Sequence, residues 1–485
     1  MNKILILFIC VLSCFINSAQ SLTLPQLTAQ INGKVISQSS PDFNNARFGY
    51  NYRYNRVPQI IVQPLDTASV VLALEYAQTN NLLVSVKSGG HSAIAEGVQD
   101  LRVVIDVSQM KQISYDPVSN IITTQSGNKW VEVYNYTINQ HQVATPGGSC
   151  PSVSVGGLTL GGGANDLSTV HGLATDNVVE LEVVLANRSV VIANEQTNVD
   201  LFWALRGGGH GGFGIVTLFK FRAHPVLPTY YSAWITYAWS DFEDVLTYVN
   251  TFSETMPNTV NLYFTAWRSS NATNPSVALS CFFNGPSQLG ESHCGSFRNF
   301  SGSKRNTYIT PVTISVTNAS YYETVKNGTD PKARSSYTSG SFLTGIDKKV
   351  IKNIKTQLEK SPVTPYTFNT ARLNLYWQGG QMLNQARDYN AYVHRTYPWN
   401  AVWLVSYTGG EFEEPYRKWI KQTYRKFESF SEGVYQNYPD ENNLDNWAEA
   451  YYMENYPKLQ VVKATYDPNN YFRFAQSIGS PSLSS

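Results

Sequence analysis

Between Asn55 and Val226, short apolar runs alternate with glycine turns and with stretches of helical spacing. The run IIVQPLD predicts a strand. TASVVLALEYAQTNN repeats apolar residues at helical intervals, opens on a threonine that is a candidate cap and ends in Asn-Asn, which predicts a helix. LLVSVKSGGHS predicts a strand entering a Gly-Gly turn, and LRVVIDVSQM, IITTQSG, VVELEVVLANRSVVIAN and FGIVTLFKFRAHP predict further strands. Beyond Pro225 the character changes. YYSAWITYAWS, VNLYFTAWRSS and SVALSCFFNG are aromatic runs with partial alternation, which predicts antiparallel sheet, and DFEDVLTYVNTFSETM between them predicts a helix. From Gln436 to Ile478 the chain returns to helix-like and loop patterns. These patterns predict an α+β protein whose main parts are residues 55–226 and residues 227–435, the second an antiparallel sheet backed by helices. Residues 436–478 form a closing segment that rejoins the first part. No Pro/Gly/Ser linker marks the change near residue 226, so the two parts should share a large surface, a common place for an active site.

The first residues, MNKILILFICVLSCFINSAQS, place a lysine before an apolar run and small residues after it, the layout of a secretory leader spanning residues 1–19. The apolar run is shorter than the roughly 20 residues that span a bilayer, and no other segment is long and apolar enough, so membrane insertion is not expected. Six glycosylation sequons, at Asn135, Asn187, Asn271, Asn299, Asn318 and Asn327, agree with export into an oxidising compartment. The formal charge of +1 falls to zero when Lys3 leaves with the leader, which argues against a nucleic-acid partner. The seven histidines show no ligand spacing with carboxylates or each other, so no metal is expected. Nothing in the sequence sets the oligomeric state.

Removing the leader also removes Cys10 and Cys14 and leaves Cys150, Cys281 and Cys294. Cys281 and Cys294 are candidates for a small-loop disulfide, with other pairings open, and that pairing leaves Cys150 odd. Cys150 lies in GGSCPSVSVGG, among four glycine clusters: Gly89-Gly90, Gly156-Gly157, Gly161 to Gly163, and Gly207 to Gly212 with one interruption. Glycine turns let backbone amides approach a ligand closely, yet none of these fits a dinucleotide or Walker fingerprint. Any one of them is most simply a tight turn. Four within one part point to a ligand lying across several turns.

YNRVPQIIVQP, VKSGGHS, GGSCPSVSVGG, GGGANDLSTVHGLATDNV, DLFWALRGGGHGGFGIVT and YDPNNYFRFAQSI occur in the order found in the berberine bridge enzyme-like flavin oxidases. The chain resembles that family from about Asn55 to Ile478. The resemblance implies a two-part FAD-binding domain of the p-cresol methylhydroxylase type joined to a substrate domain. It further implies FAD bonded twice, through His91 to the 8α carbon and through Cys150 to C6, which would explain the odd cysteine. Lys87, Ser88, Gly89, Gly90, Ser92, Gly156, Gly157, Gly161, Asp176, Val178, Gly214, Val216 and Asn469 would make the other cofactor contacts. Leu158 stands where the family commonly has histidine. Asn165, Thr169, His210 and Gly212 also depart from the usual residues, which bears on flavin tuning.

YQNYPD resembles the family's Tyr-x-Asn-Tyr segment and implies Tyr438 as the general base, with Tyr435 as its neighbour. Hydride removal from a carbinol carbon requires a base within hydrogen-bond reach of the hydroxyl, and an unperturbed tyrosine, with a pKa of about 10, needs nearby donors or a cation. Gln378 and Tyr376, before the Gly379-Gly380 pair, are candidate substrate contacts, Tyr376 standing where some relatives carry a carboxylate. Val153, three residues after the cysteine, is a permissive residue for oxygen access by the same resemblance. The expected activity is oxidation of a hydroxyl-bearing substrate, such as a sugar, with molecular oxygen as the final acceptor. A dehydrogenase using a quinone-type acceptor, or a silent carbohydrate-binding protein on the same fold, are the alternatives.

Overall fold

The computed structural model describes residues 21–269, 272–302, 308–328, 334–366, 369–440 and 445–479. The expected leader and the Asn271 sequon lie outside the described residues. Three sheets organise the chain. The first contains β1 (Gly33–Ser37), β2 (Ile60–Pro64), β3 (Val84–Lys87) and β4 (Val103–Asp106) in the order β1-β2-β4-β3, with β2, β4 and β3 parallel. The expected helix spans Thr67–Thr79 and links β2 to β3. Its cap is Asp66 rather than Thr67. Asp66 is extended and its carboxylate accepts from the Ser69 amide at 2.8 Å, whereas the Thr67 hydroxyl donates to Glu182 at 2.6 Å.

Next along the chain come β5 (Ile113–Asp116), β6 (Ile121–Gln125), β7 (Val143–Ala144), β8 (Val178–Val184), β9 (Val190–Asn194), β10 (Ile215–Arg222) and β11 (His224–Pro225). Five of them form an antiparallel sheet in the order β5-β6-β10-β8-β9, while β7 and β11 pair separately.

The third sheet follows the change of pattern near Pro225. Its strands are drawn from β12 (Tyr230–Tyr237), β13 (Val260–Ser269), β14 (Ser276–Phe283), the ribbon β15 (Phe300–Ser301) and β16 (Tyr308–Ile309), β17 (Thr313–Ala319), β18 (Ser335–Leu343), β19 (Thr370–Trp377) and β20 (Trp399–Tyr407). Seven of these pair antiparallel in the order β17-β12-β14-β13-β19-β20-β18. Alternation along each strand divides the sheet's two faces. Ile235, Phe264, Leu279, Leu373, Leu375 and Trp403 join one apolar core with the helices Phe242–Ser253, Lys348–Glu359 and Glu413–Phe427. The opposite face carries Trp234, Tyr263, Thr265, Trp267, Arg372, Asn374, Tyr376 and Asn400, a polar and aromatic surface that no helix core absorbs.

The architecture is therefore α+β. Cys281 of β14 is joined to Cys294 with their Cα atoms 5.9 Å apart, and Cys150 takes no part in that disulfide. The closing segment bonds to earlier parts of the chain. Lys463 pairs with Asp467 and donates to the Gly212 carbonyl at 2.6 Å, and the Tyr471 hydroxyl donates to the Leu82 carbonyl at 2.7 Å. Asn135, Asn187, Asn299, Asn318 and Asn327 are all exposed. Among the described residues no helix is long and apolar enough to cross a membrane.

Candidate active site

His91 and Cys150 are far apart in sequence and close in space. The Gly89-Gly90 turn leaves β3 with Gly90 at φ +69°, a left-handed conformation that favours glycine, and delivers His91. The Cys150 loop is pressed on Trp130, where a Cβ on Gly147 would come within 2.4 Å of the indole ring, so only glycine fits. His91 Nε2 lies 2.7 Å from Ser152 Oγ, two residues after Cys150, and the ring of Tyr50 stacks on the imidazole at 5.5 Å and 10°. Burial raises the Tyr50 phenol pKa, and the Cys150 sulfur adds to the effect.

The sulfur also acts on the polar side of the third sheet, where it raises the pKa values of Tyr263, Tyr376 and Tyr438, burial being the largest cause for each. Tyr263 and Tyr376 are cross-strand partners stacked at 5.0 Å, and Tyr438 stacks on Tyr376 at 6.0 Å. Tyr435 stands edge-on behind Tyr438 at 5.6 Å. Its hydroxyl accepts from the Gly163 amide at 2.7 Å and from Asn437 Nδ2 at 2.6 Å. Those donors favour the phenolate, but burial outweighs them and pushes the Tyr435 pKa up to about 12. Tyr438 is pushed well above the ordinary tyrosine value, first by burial and then by Tyr435, and a hydrogen bond with Tyr376 works in the opposite direction. Gln378 is buried and accepts from the Tyr392 hydroxyl at 2.7 Å.

The glycine turns meet through Ser126. Its carbonyl accepts from Ser88 Oγ at 2.7 Å and from the Gly156 amide at 3.1 Å, while its hydroxyl donates to the Val216 carbonyl. Lys87 spends its ammonium within the protein, donating to the Ala46 carbonyl at 2.7 Å and pairing with Asp106 of β4. Ser92 binds Glu96. Gly157 is exposed, and its carbonyl is held by His210 Nε2 at 2.7 Å. Gly161 packs under Asn437. Asp176 spends its carboxylate within the protein, on Arg395 at 2.6 and 2.9 Å, Asn390 at 2.8 Å and the Leu173 amide at 2.9 Å, so what it offers a cofactor is the position of its loop. Val178 begins β8 in the core, and Gly214 packs against Val183 and Val184. Asn469 stands exposed on the loop after the helix Tyr456–Tyr466.

Sequence reasoning missed Tyr50, Ser152, Tyr263, Arg372, Tyr392, Arg395 and Asn400. Most lie in no motif. For Arg372 a signal existed, because ARLNLYWQ alternates Arg372, Asn374, Tyr376 and Gln378 with Ala371, Leu373 and Leu375, and period two puts the polar set on one face.

A flavin cofactor suits these residues. The His91 imidazole meets Ser152, two residues after Cys150, and the segment around Gly162 carries buried polar atoms lacking hydrogen-bond partners among the described residues: Thr159 Oγ1, Thr175 Oγ1, Gln436 Oε1 and Asn437 Oδ1. Those four residues are tied to one stretch by bonds to the Leu158, Gly161 and Gly162 backbone. Both amide atoms of buried Asn400, beside Tyr376, also lack partners among the described residues. Buried polar atoms of this kind are ones a polar ligand could satisfy. A shallow cleft lined by Ile94, Glu96, His210, Gln436 and Tyr451, among others, opens beside this segment.

Comparison with known proteins agrees. Residues 58–194 match the FAD binding domain family and residues 434–479 the family described as berberine and berberine like. The chain is 30% identical to an uncharacterised FAD-linked oxidoreductase of Bacillus subtilis, YgaK, over 93% of this chain and 97% of that one. The fold is that of BBE-like 1 from Physcomitrella patens, with a TM-score of 0.84 at 23% identity over 95% of this chain and 99% of that one. It is also that of glucooligosaccharide oxidase from Acremonium strictum, whose FAD is described as 6-S-cysteinyl and 8α-N1-histidyl, with a TM-score of 0.82 at 23% identity over 94% and 98%. The chain belongs to the berberine bridge enzyme-like family of FAD-linked oxidases and is an FAD-dependent oxidoreductase.

Proposed function

We propose that this protein is an exported oxidase of a hydroxyl-bearing substrate, a sugar or oligosaccharide, holding FAD through both His91 and Cys150. The observation that carries the reading is the meeting of His91, Cys150, Tyr376 and Tyr438 at one face of the third sheet. Ser152 engages Nε2 of His91, which directs the link to Nδ1 and matches the attachment described for the Acremonium oxidase. When bound, FAD would supply a two-electron acceptor for the substrate's carbinol hydrogen, with molecular oxygen as final acceptor and hydrogen peroxide as its product. Tyr438 takes the hydroxyl proton, Tyr376 orients it, and Tyr435 fixes the strand of backbone behind it. Gln378 and Asn400 present amides to the substrate side, and attachment at two points keeps the geometry independent of cofactor affinity. The exposed sequon asparagines support export.

The test has two parts. Acid-precipitated protein should retain its yellow colour and a mass increased by one FAD. His91→Ala and Cys150→Ala should each retain flavin through the remaining bond, and the double variant should release it on denaturation. A panel of sugars and alcohols should then bleach the flavin anaerobically and yield peroxide in air. Release of free FAD from the unaltered chain would refute the double attachment. Fast turnover with a quinone and slow reoxidation in air would refute the oxidase assignment.

A further inference from the structure

Arg372 is a cation on the polar face of β19 for which the described residues provide no counter-charge. It is the cross-strand partner of Trp267, with its guanidinium 5.8 Å from that ring. Its Nε is buried without a hydrogen-bond partner, and among the described residues no carboxylate pairs with it. Buried or half-buried charges are ordinarily paired, because leaving one unpaired in a low-dielectric site is costly. Its charge is felt by Tyr50, against His91, and by Tyr263, against Tyr376, so it looks into the same space as the candidate reaction centre. No carboxylate appears among the leading charges acting on Tyr50, Tyr263, Tyr376 or Tyr438.

Position along the strand sets the geometry. Arg372 precedes Tyr376 by four residues on the same face, about 13 Å at the usual rise of a strand. A group reaching Arg372 while another reacts beside Tyr376 and Tyr438 must belong to a different unit of an elongated substrate. Trp267 offers a flat ring beside it, suited to the C–H face of a sugar, and a guanidinium matches a carboxylate through two parallel hydrogen bonds. We propose that Arg372 and Trp267 form a subsite for a carboxylate-bearing unit, so that the preferred substrate is an acidic oligosaccharide, with Arg372 as a specificity-determining residue. This rests on the reading of the site given above.

The probe pair is trigalacturonic acid and its fully methyl-esterified form, which share a skeleton and differ in charge. Dissociation constants are measured on the flavin-loaded protein by calorimetry, and flavin bleaching is followed separately. The unaltered protein should bind the acid at least tenfold more tightly than the ester, and the preference should shrink with added salt. Arg372→Gln should abolish the preference, and Arg372→Lys, which keeps the charge without the fork, should restore part of it. Equal affinity for acid and ester in the unaltered protein would overturn the subsite, as would a preference that survives Arg372→Gln. Binding with the expected preference but no bleaching would leave the subsite standing and count against the oxidation of sugars. Bleaching by sugars without charge preference would do the reverse.

Discussion

Tyr438, the base in the proposed reaction, has its pKa held above the ordinary tyrosine value. Burial and the neighbouring Tyr435 hold its phenol protonated near neutrality, and the hydrogen bond with Tyr376 only partly offsets them. The base form therefore gains population as pH rises, so the rate of flavin reduction by substrate should climb with pH above neutrality and show no falling limb at mildly alkaline pH. Tyr438→Phe should lower that rate by about 10²- to 10⁴-fold, the usual worth of a positioned proton acceptor, and flatten the climb. Tyr435→Phe removes the acceptor of the Gly163 amide and of Asn437 and should instead cost about 1–3 kcal/mol of stability, with a smaller loss of rate. Stopped-flow reduction across pH in both variants distinguishes them. If Tyr435→Phe rather than Tyr438→Phe removed the climb, the roles would be exchanged. His91 is a residue-scale matter as well. In a Cys150→Ala background, Ser152→Ala should lower the fraction of flavin retained after denaturation, because the serine fixes which ring nitrogen faces the cofactor.

Between elements, the contacts that hold the site together join segments that no local pattern connects. Asp176, in the loop before β8, pairs with Arg395, just before β20, and their side chains are only 5% and 1% exposed. Arg395 also donates to the Met382 carbonyl and lies 4.8 Å from the ring of Tyr392, which in turn holds Gln378. The pair thus fastens a cofactor-side loop to the substrate-side strand. Arg395→Met leaves a buried carboxylate uncompensated and should lower the unfolding free energy by about 3–5 kcal/mol. Asp176→Asn combined with Arg395→Met should recover a measurable part of that loss. Denaturant titration of the two single variants and the double variant closes the cycle, and strict additivity would mean that the ion pair does not couple the loops. Here the limits of sequence reading have a physical cause. The strands and the helix Thr67–Thr79 were legible because apolar periodicity is a local property. The histidine and cysteine were legible because their motifs are short and dense. The Asp176–Arg395 pair, the stacking of Tyr50 on His91 and the facing of Arg372 with Trp267 depend on register and long-range packing, which spacing alone does not encode. Even the cap moved by one residue, to Asp66, because a carboxylate accepts the Ser69 amide while Thr67 finds Glu182.

At the scale of the molecule, the same joint between parts contains histidines that burial keeps neutral. His394, next to Arg395, stacks on Phe342 at 4.7 Å, and burial together with the charge of Arg387 lowers its pKa to about 3. His224 stacks on His171 at 4.0 Å and meets Asn177 at 2.6 Å, beside Asp176; burial first, then His171, lowers its pKa to about 4. His171 is lowered as well, by burial. In the unfolded chain each titrates near 6.5. As pH falls below 6.5 the unfolded state therefore takes up protons that the folded state refuses, and unfolding becomes easier. The slope approaches about 1.4 kcal/mol per pH unit for each such histidine, and the effect saturates once the folded values are passed. The window between pH 6.5 and 5 lies above the ordinary carboxylate range and isolates it. Denaturant unfolding in that window should show stability falling with pH. His224→Gln and His394→Gln should each reduce the slope even where they lower stability at neutral pH. Because these side chains adjoin the loop of Asp176 and the strand entry at Arg395, acid should loosen the joint between cofactor side and sheet first, and amide exchange near residues 172–178 and 390–395 should rise before exchange in the helix-backed core of the third sheet. A stability profile flat from pH 6.5 to 5, or exchange that rises uniformly, would show that the histidines do not couple acidity to this joint.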